Sequence, residues 1–298
     1  MTKYLVQKFL WFRERGFVQI TQKTLVSLFL LGLAVPSYSW TRKNIQKIKK
    51  FYNSKLSPII MIPGSSATEN RFDGLVAKLN QDRQGTKHSL LKVKIWNDGR
   101  MTYSGSIDVK DNEPIIVIGF ENNKDGYSNI KKQAKMVNQA FEALQSKYNF
   151  NNFKGLGHSN GGLIYTAFIE NYLGDYDVDL KTLMTIGTPY NFTETNIKNK
   201  SEMLADFIKA REAIPTTLHM YSVAGAITYD SDELVPDASV SAGKYIYQNQ
   251  AETYTEITVT GEDAQHSDLP TNDEVVALIK QHLESQDNPG RREQKNPN

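Results

Sequence analysis

Five consecutive residues, Gly157-His158-Ser159-Asn160-Gly161, carry the G-x-S-x-G spacing in which a serine hydroxyl can serve as a nucleophile. A hydroxyl is a weak nucleophile by itself, so chemistry at Ser159 needs a base to take its proton and a third group to hold that base. The flanks favour this reading over a glycine-rich turn with a chance serine. Phe150 to Leu156 is a short, largely apolar-aromatic run of strand length, and Gly162 to Ile169 has the composition of a buried helix. Strand, tight turn and helix together form a nucleophile elbow. Gly157 and Gly161 let strand and helix pass closely, and the serine itself is expected in a strained conformation. The following helix start supplies amides with no internal acceptor, that of Asn160 first among them.

Elimination selects the base. His158 lies inside the elbow, flanking Ser159 and pointing elsewhere; His88 precedes the elbow, His219 lies in the strand pattern Thr217 to Ala224, and His282 is in the last helix. His266 is left, in a loop between the strand Thr255 to Val259 and a final helix with Val275, Leu278 and Ile279 on one face. That helix opens with Thr271-Asn272-Asp273-Glu274, a capping-box pattern. Three loop acids, Asp230, Asp232 and Glu233, compete to orient the imidazole. Serine, acid, histidine is the chain order expected with a G-x-S-x-G elbow. The run Ser57 to Ile62 ends in Pro63-Gly64-Ser65-Ser66, a turn placed to supply a second oxyanion donor from the amide of Ser65. The chain has no cysteine, which removes thiol catalysis, disulfides and cysteine metal sites. No metal or cofactor is implied, and a formal charge of +2 gives no sign of nucleic-acid binding.

The elements that must position these groups alternate. Ser57 to Ile62 is apolar on both faces, as in an interior parallel strand, and Phe72, Leu75, Val76 and Leu79 then share a helical face. Leu90 to Trp96 and Met101 to Ile107 flank Asp98-Gly99, a hairpin signal. Pro114 to Phe120 is a further buried strand, followed by a helix with the stripe Ile130, Ala134, Val137, Phe141, Leu144 and Tyr148. Leu180 to Ile186 ends in Gly187-Thr188-Pro189-Tyr190. Between Asn191 and Pro215 lies a helix with Met203, Leu204, Phe207 and Ile208 on one side, placed either as a lid or as part of the core. Such alternation predicts an α/β doubly wound sheet with ligands at the carboxyl ends of its strands.

The first forty residues differ from the rest. Lys3, Lys8, Arg13, Arg15 and Lys23 precede an uncharged run from Leu25 to Val35, with small residues at Ser37 and Ser39. This is the order of a secretory signal, and Val18 to Trp40 could instead serve as a membrane anchor. Either reading exports the folded part. Residues 1–40 are therefore expected to be a signal or anchor, 41–56 a basic tether, 57–285 the catalytic domain and 286–298 a disordered tail.

Four stretches together carry a resemblance: Gly157 to Gly162, Gly187-Thr188-Pro189-Tyr190-Asn191, Asp232 with Leu234-Val235-Pro236, and His266-Ser267-Asp268-Leu269. They resemble the bacterial cell-surface α/β-hydrolases, a family catalogued as a domain of unknown function. The resemblance implies an α/β-hydrolase fold: a mostly parallel sheet with helices on both faces and a small helical insertion after the sixth strand. It implies an esterase-like Ser-His-Asp hydrolase at the cell surface, acting on a small-molecule or lipid ester and touching the membrane through its N-terminal segment. Asp232 becomes the acid because its Leu-Val-Pro resembles the D-G-x-V-P of bacterial lipases, with Glu233 where glycine is usual. Where many relatives have His-Gly after the first strand, this chain has Pro63-Gly64. Two other activities fit the same pattern: a surface acyltransferase using the same triad, and an idle surface-binding module.

Overall fold

A computed structural model describes residues 22–81, 83, 86–227 and 230–284. The basic residues Lys3 to Arg15 and the tail 286–298 lie outside the described residues, as does the start of the Val18 to Trp40 stretch. The described residues fall into two units divided between Asn53 and Ser54.

The first unit is one helix, α1 (Gln22–Tyr52), with Pro36 inside it. It takes in the apolar run and, through Tyr52, the basic stretch expected as a tether. The Ser37 hydroxyl donates to the Leu33 carbonyl at 2.7 Å, one turn back. Leu33, Val35, Tyr38 and Trp40 are exposed. Among the described residues, no helix is long and apolar enough to cross a membrane.

The second unit is built on eight strands: β1 (Ile59–Ile62), β2 (Leu90–Ile95), β3 (Met101–Gly105), β4 (Ile115–Phe120), β5 (Asn152–His158), β6 (Asp179–Ile186), β7 (His219–Ala226) and β8 (Thr253–Thr260). Their order across the sheet is β3-β2-β4-β1-β5-β6-β7-β8. Only the β2–β3 hairpin is antiparallel, turned at Gly99 with φ of +83°. Side-chain alternation sorts β1 cleanly. Ile60 and Ile62 join the core on one face with Phe141, Phe153 and Phe168; Ile59 and Met61 join the other with Leu75, Val275 and Ile279. The first face is covered by α2 (Tyr127–Tyr148) and α3 (Asn160–Asn171), the second by α4 (Asp73–Gln81) and α5 (Asp273–His282). An interior strand covered on both faces must be apolar at every position, which is why β4 is buried from end to end.

The helix after β6, α6 (Glu202–Ala210), is capped by Ser201, whose hydroxyl accepts from the Leu204 amide. Its Met203, Leu204 and Phe207 are buried in the core on the α2–α3 side, so its apolar stripe is a core surface. A cavity of about 290 Å³ remains beside it, lined by Tyr127, Lys131, Glu170, Asp206 and Phe207 among others. The expected capping box at α5 is displaced by one residue. Asn272 is the cap, accepting from the Val275 amide at 3.0 Å, while Thr271 donates to the Asp268 carbonyl instead.

Candidate active site

β5 ends at His158 and α3 begins at Asn160, so Ser159 alone makes the turn. Its φ of 56° and ψ of −128° are outside the comfortable range of a non-glycine residue, a conformation that costs about 1–3 kcal/mol and persists where the surroundings enforce it. Here three bonds do so. The Ser159 amide donates to the Ile186 carbonyl at 2.8 Å, while its own carbonyl accepts from the Gly162 amide at 3.0 Å and from the Thr188 hydroxyl at 3.1 Å. A Cβ at Gly161 would lie 2.0 Å from the Ile62 carbonyl oxygen, so nothing larger than glycine fits between helix and strand.

Across the rim, Asp232 and His266 meet. His266 Nδ1 donates to Asp232 Oδ2 at 2.7 Å, and the His266 amide donates to the Asp232 carbonyl at 3.0 Å. The other carboxylate oxygen accepts from the amides of Leu234 at 3.1 Å and Val235 at 2.6 Å. Asp232 is 1% exposed and His266 6%. The pair rests on Gly187, whose φ is +56° and where a Cβ would come within 3.1 Å of both Asp232 Oδ2 and His266 Nδ1. Geometry thus separates the three competing acids. Asp230 is exposed, and Glu233 is exposed with its carboxylate accepting from the Gln265 side-chain amide at 2.7 Å. Glu233 has a φ of +73°, which explains why glycine suits that position.

His158 does not point elsewhere. It is buried, its Nε2 donates to the His266 carbonyl at 3.0 Å, and its ring centroid lies 4.9 Å from that of His266. Burial, then the neighbouring His266 and Arg71, push its pKa well below that of a free imidazole. It is therefore a neutral donor with Nδ1 as a lone-pair site, and that nitrogen is buried without a partner. The Arg71 guanidinium donates to the Ser267 carbonyl, so the main chain of the His266 loop is held twice. Neither the Ser159 hydroxyl nor His266 Nε2 makes a hydrogen bond among the described residues.

The Pro63-Gly64 turn lies against the elbow. A Cβ built on Gly64 would be 2.6 Å from Ser159 Cβ and 3.1 Å from its Oγ. The amides of Ser65 and Asn160 donate to no acceptor among the described residues. The turn that carries Ser65 thus lies against Ser159, Asp232 is paired with His266, and His158, the residue before Ser159, is bonded to the His266 main chain. The remaining histidines are engaged elsewhere: His88 with the Glu113 carbonyl, His219 with the Thr253 hydroxyl, and His282 stacked on Tyr221. Sequence reasoning missed the bonds of His158 and Thr188. Both go to main-chain carbonyls, which no residue type announces.

No match was found among curated proteins. Among solved structures, a proposed cell-surface hydrolase from Lactobacillus plantarum WCFS1 is 50% identical, with 77% of this chain and 92% of that one covered and a TM-score of 0.71. The product of the gene lin2722 from Listeria innocua is 28% identical, with 77% and 94% covered and a TM-score of 0.72. Residues 46–286 match the family described as alpha/beta hydrolase of unknown function (DUF915), and this chain belongs to that family.

Proposed function

We propose that this chain is a serine hydrolase of carboxylic esters, working at the cell surface. The observation that carries the reading is the buried Asp232–His266 bond at 2.7 Å beside a strained serine turn. With Nδ1 donating to Asp232, neutral His266 carries its lone pair on Nε2 and can take the Ser159 proton as Oγ bonds to the substrate carbonyl carbon. The developing oxyanion is met by the amides of Ser65 and Asn160, each worth on the order of 3 kcal/mol when well aimed. Collapse breaks the ester C–O bond, and His266 returns the proton to the departing alcohol. Water then attacks the acyl-serine, gives a proton to His266, and Ser159 leaves with that proton. Asp232 stabilises the imidazolium through both half-reactions. The low pKa of His158 keeps a second positive charge from forming beside it. The absent Ser159–His266 hydrogen bond fits a site at rest, since such bonds commonly tighten in the substrate complex.

The substrate is a small-molecule or lipid ester. Export rests on the basic-then-apolar order of residues 1–40, which would also give contact with the membrane, and the Lactobacillus protein's description as a proposed cell-surface hydrolase agrees with it. A fluorophosphonate probe should label the wild-type protein and leave Ser159→Ala unlabelled, and an ester series of graded chain length should be cleaved by the first alone. Equal labelling of the two proteins would end the serine reading.

A further inference from the structure

The two oxyanion amides come from segments almost a hundred residues apart, and a third segment touches both. We propose that the loop of residues 122–125 is a brace that sets the spacing of the oxyanion site, with Asn123 and Asp125 as positioning residues. The inference rests on the serine-hydrolase reading above.

The loop leaves the carboxyl end of β4, the sheet neighbour of β1, and so emerges beside the Gly64-Ser65 turn. The Asn123 carbonyl accepts from the Ser66 amide at 2.8 Å, and its side-chain amide donates to the Ala67 carbonyl at 2.9 Å. These two bonds straddle a strained residue: Ser66 has a φ of +58° without being glycine. Such a conformation relaxes unless neighbours hold it, and relaxation would swing the preceding peptide, whose N–H is that of Ser66, along with its neighbour at Ser65. Two residues further on, Asp125 Oδ1 accepts from the Asn160 side-chain amide at 2.8 Å, tying the same loop to the residue whose backbone supplies the other donor. The brace is itself anchored to α2. The buried Gln133 donates to the Asn122 carbonyl at 2.8 Å, and Asn129 donates to the Lys124 carbonyl at 2.6 Å. With Pro63 in place of histidine in the turn, that fixity comes from outside the turn.

Oxyanion donors act on charge that develops in the transition state, so misaiming them lowers kcat and leaves KM nearly unchanged. On a short-chain p-nitrophenyl ester, Asn123→Ala should lose about tenfold in kcat and Asp125→Ala about three- to tenfold, with KM within about twofold. Asp125→Asn keeps the acceptor oxygen and should stay within about twofold of wild type. Amide hydrogen exchange in residues 64–68 should speed up in Asn123→Ala at an unchanged Tm, a readout that needs no activity. The brace is refuted if kcat of both alanine variants stays within twofold while Ser159→Ala is inert, and the hydrolase reading then stands. It is also refuted if Asp125→Asn is as impaired as Asp125→Ala, or if the losses follow a fall in Tm. A wild-type protein that neither labels nor cleaves any ester removes the hydrolase reading, and the assignment of the brace to an oxyanion site goes with it.

Discussion

Two buried carboxylates sit at opposite ends of the sheet. Glu113, just before β4 at the amino end, binds Lys154 with one oxygen and Arg83 with the other at 3.4 Å; Arg83 also pairs with Glu284 at 2.8 Å. Asp232, beyond β7 at the carboxyl end, spends one oxygen on two backbone amides and the other on His266. Glu113 is thus clasped through both oxygens, and His88 joins the same cluster through the Glu284 carboxylate at 3.0 Å. The imidazole on Asp232 has a second nitrogen that makes no hydrogen bond among the described residues. Burial and pairing are common to both carboxylates; what separates them is that the partner of Asp232 keeps a ring nitrogen free of hydrogen bonds among the described residues, whereas Glu113 is spent on two cations.

That contrast can be broken first at Asp232. Asp232→Asn should keep the two backbone bonds and the fold yet lose about 10³–10⁴ in kcat, because the imidazole is no longer held in the useful tautomer. A loss under tenfold in ester-hydrolysis kinetics would equate the two carboxylates after all. Glu113→Gln should do the reverse. It removes one charge from the buried pairs with Lys154 and Arg83 and should destabilise by about 3–5 kcal/mol in denaturant unfolding, with kcat within a few-fold of wild type.

A third carboxylate sharpens the comparison. Glu170, at the end of α3, has one oxygen buried without a hydrogen-bond partner, and burial reinforced by Asp206 raises its pKa to about 9. Its folded pKa lies above the unfolded value, so the native state holds the extra proton and loses relative stability as pH rises from about 4.5 towards 9. Glu170→Gln should therefore raise Tm at pH 8 by about 2–4 °C for each kcal/mol recovered, and change it little at pH 4. An equal shift at both pH values would refute the linkage. The smallest effect is expected at Glu233→Gly. Relief of a left-handed residue, partly offset by glycine's chain entropy, should stabilise by less than about 1 kcal/mol, measured as the denaturation midpoint at constant m-value.

Much of the architecture was legible before any coordinates. Alternating apolar runs gave every strand within about two residues of its place. The strand before the elbow illustrates the error: the apolar-aromatic run starts at Phe150, a core residue ahead of the strand, whereas pairing with β6 begins at Asn152 and runs through His158. At the site, Ser159 stands out through the glycines around it, and His266 because histidine is scarce and the other four fall ahead of the elbow, inside it, in a strand or in the last helix. Asp232 needed the resemblance, since three acids in one loop look alike until burial separates them. The bonds of His158, Thr188 and Asn123 end on carbonyl oxygens, which every residue carries, and so leave no mark in the sequence. The helical state of residues 41–52 could have been foreseen: Thr41 to Tyr52 contains neither glycine nor proline.

That same helix bears on how the chain could be processed. Peptidases commonly thread the bond they cut as an extended strand, at roughly 3.3 Å per residue, whereas residues 37 to 39 are coiled at about 1.5 Å per residue and Ser37 is latched to the preceding turn. Were the chain cut after Ser39, the cut would have to begin by uncoiling that segment to about twice its length, and the α1 backbone would resist it mechanically.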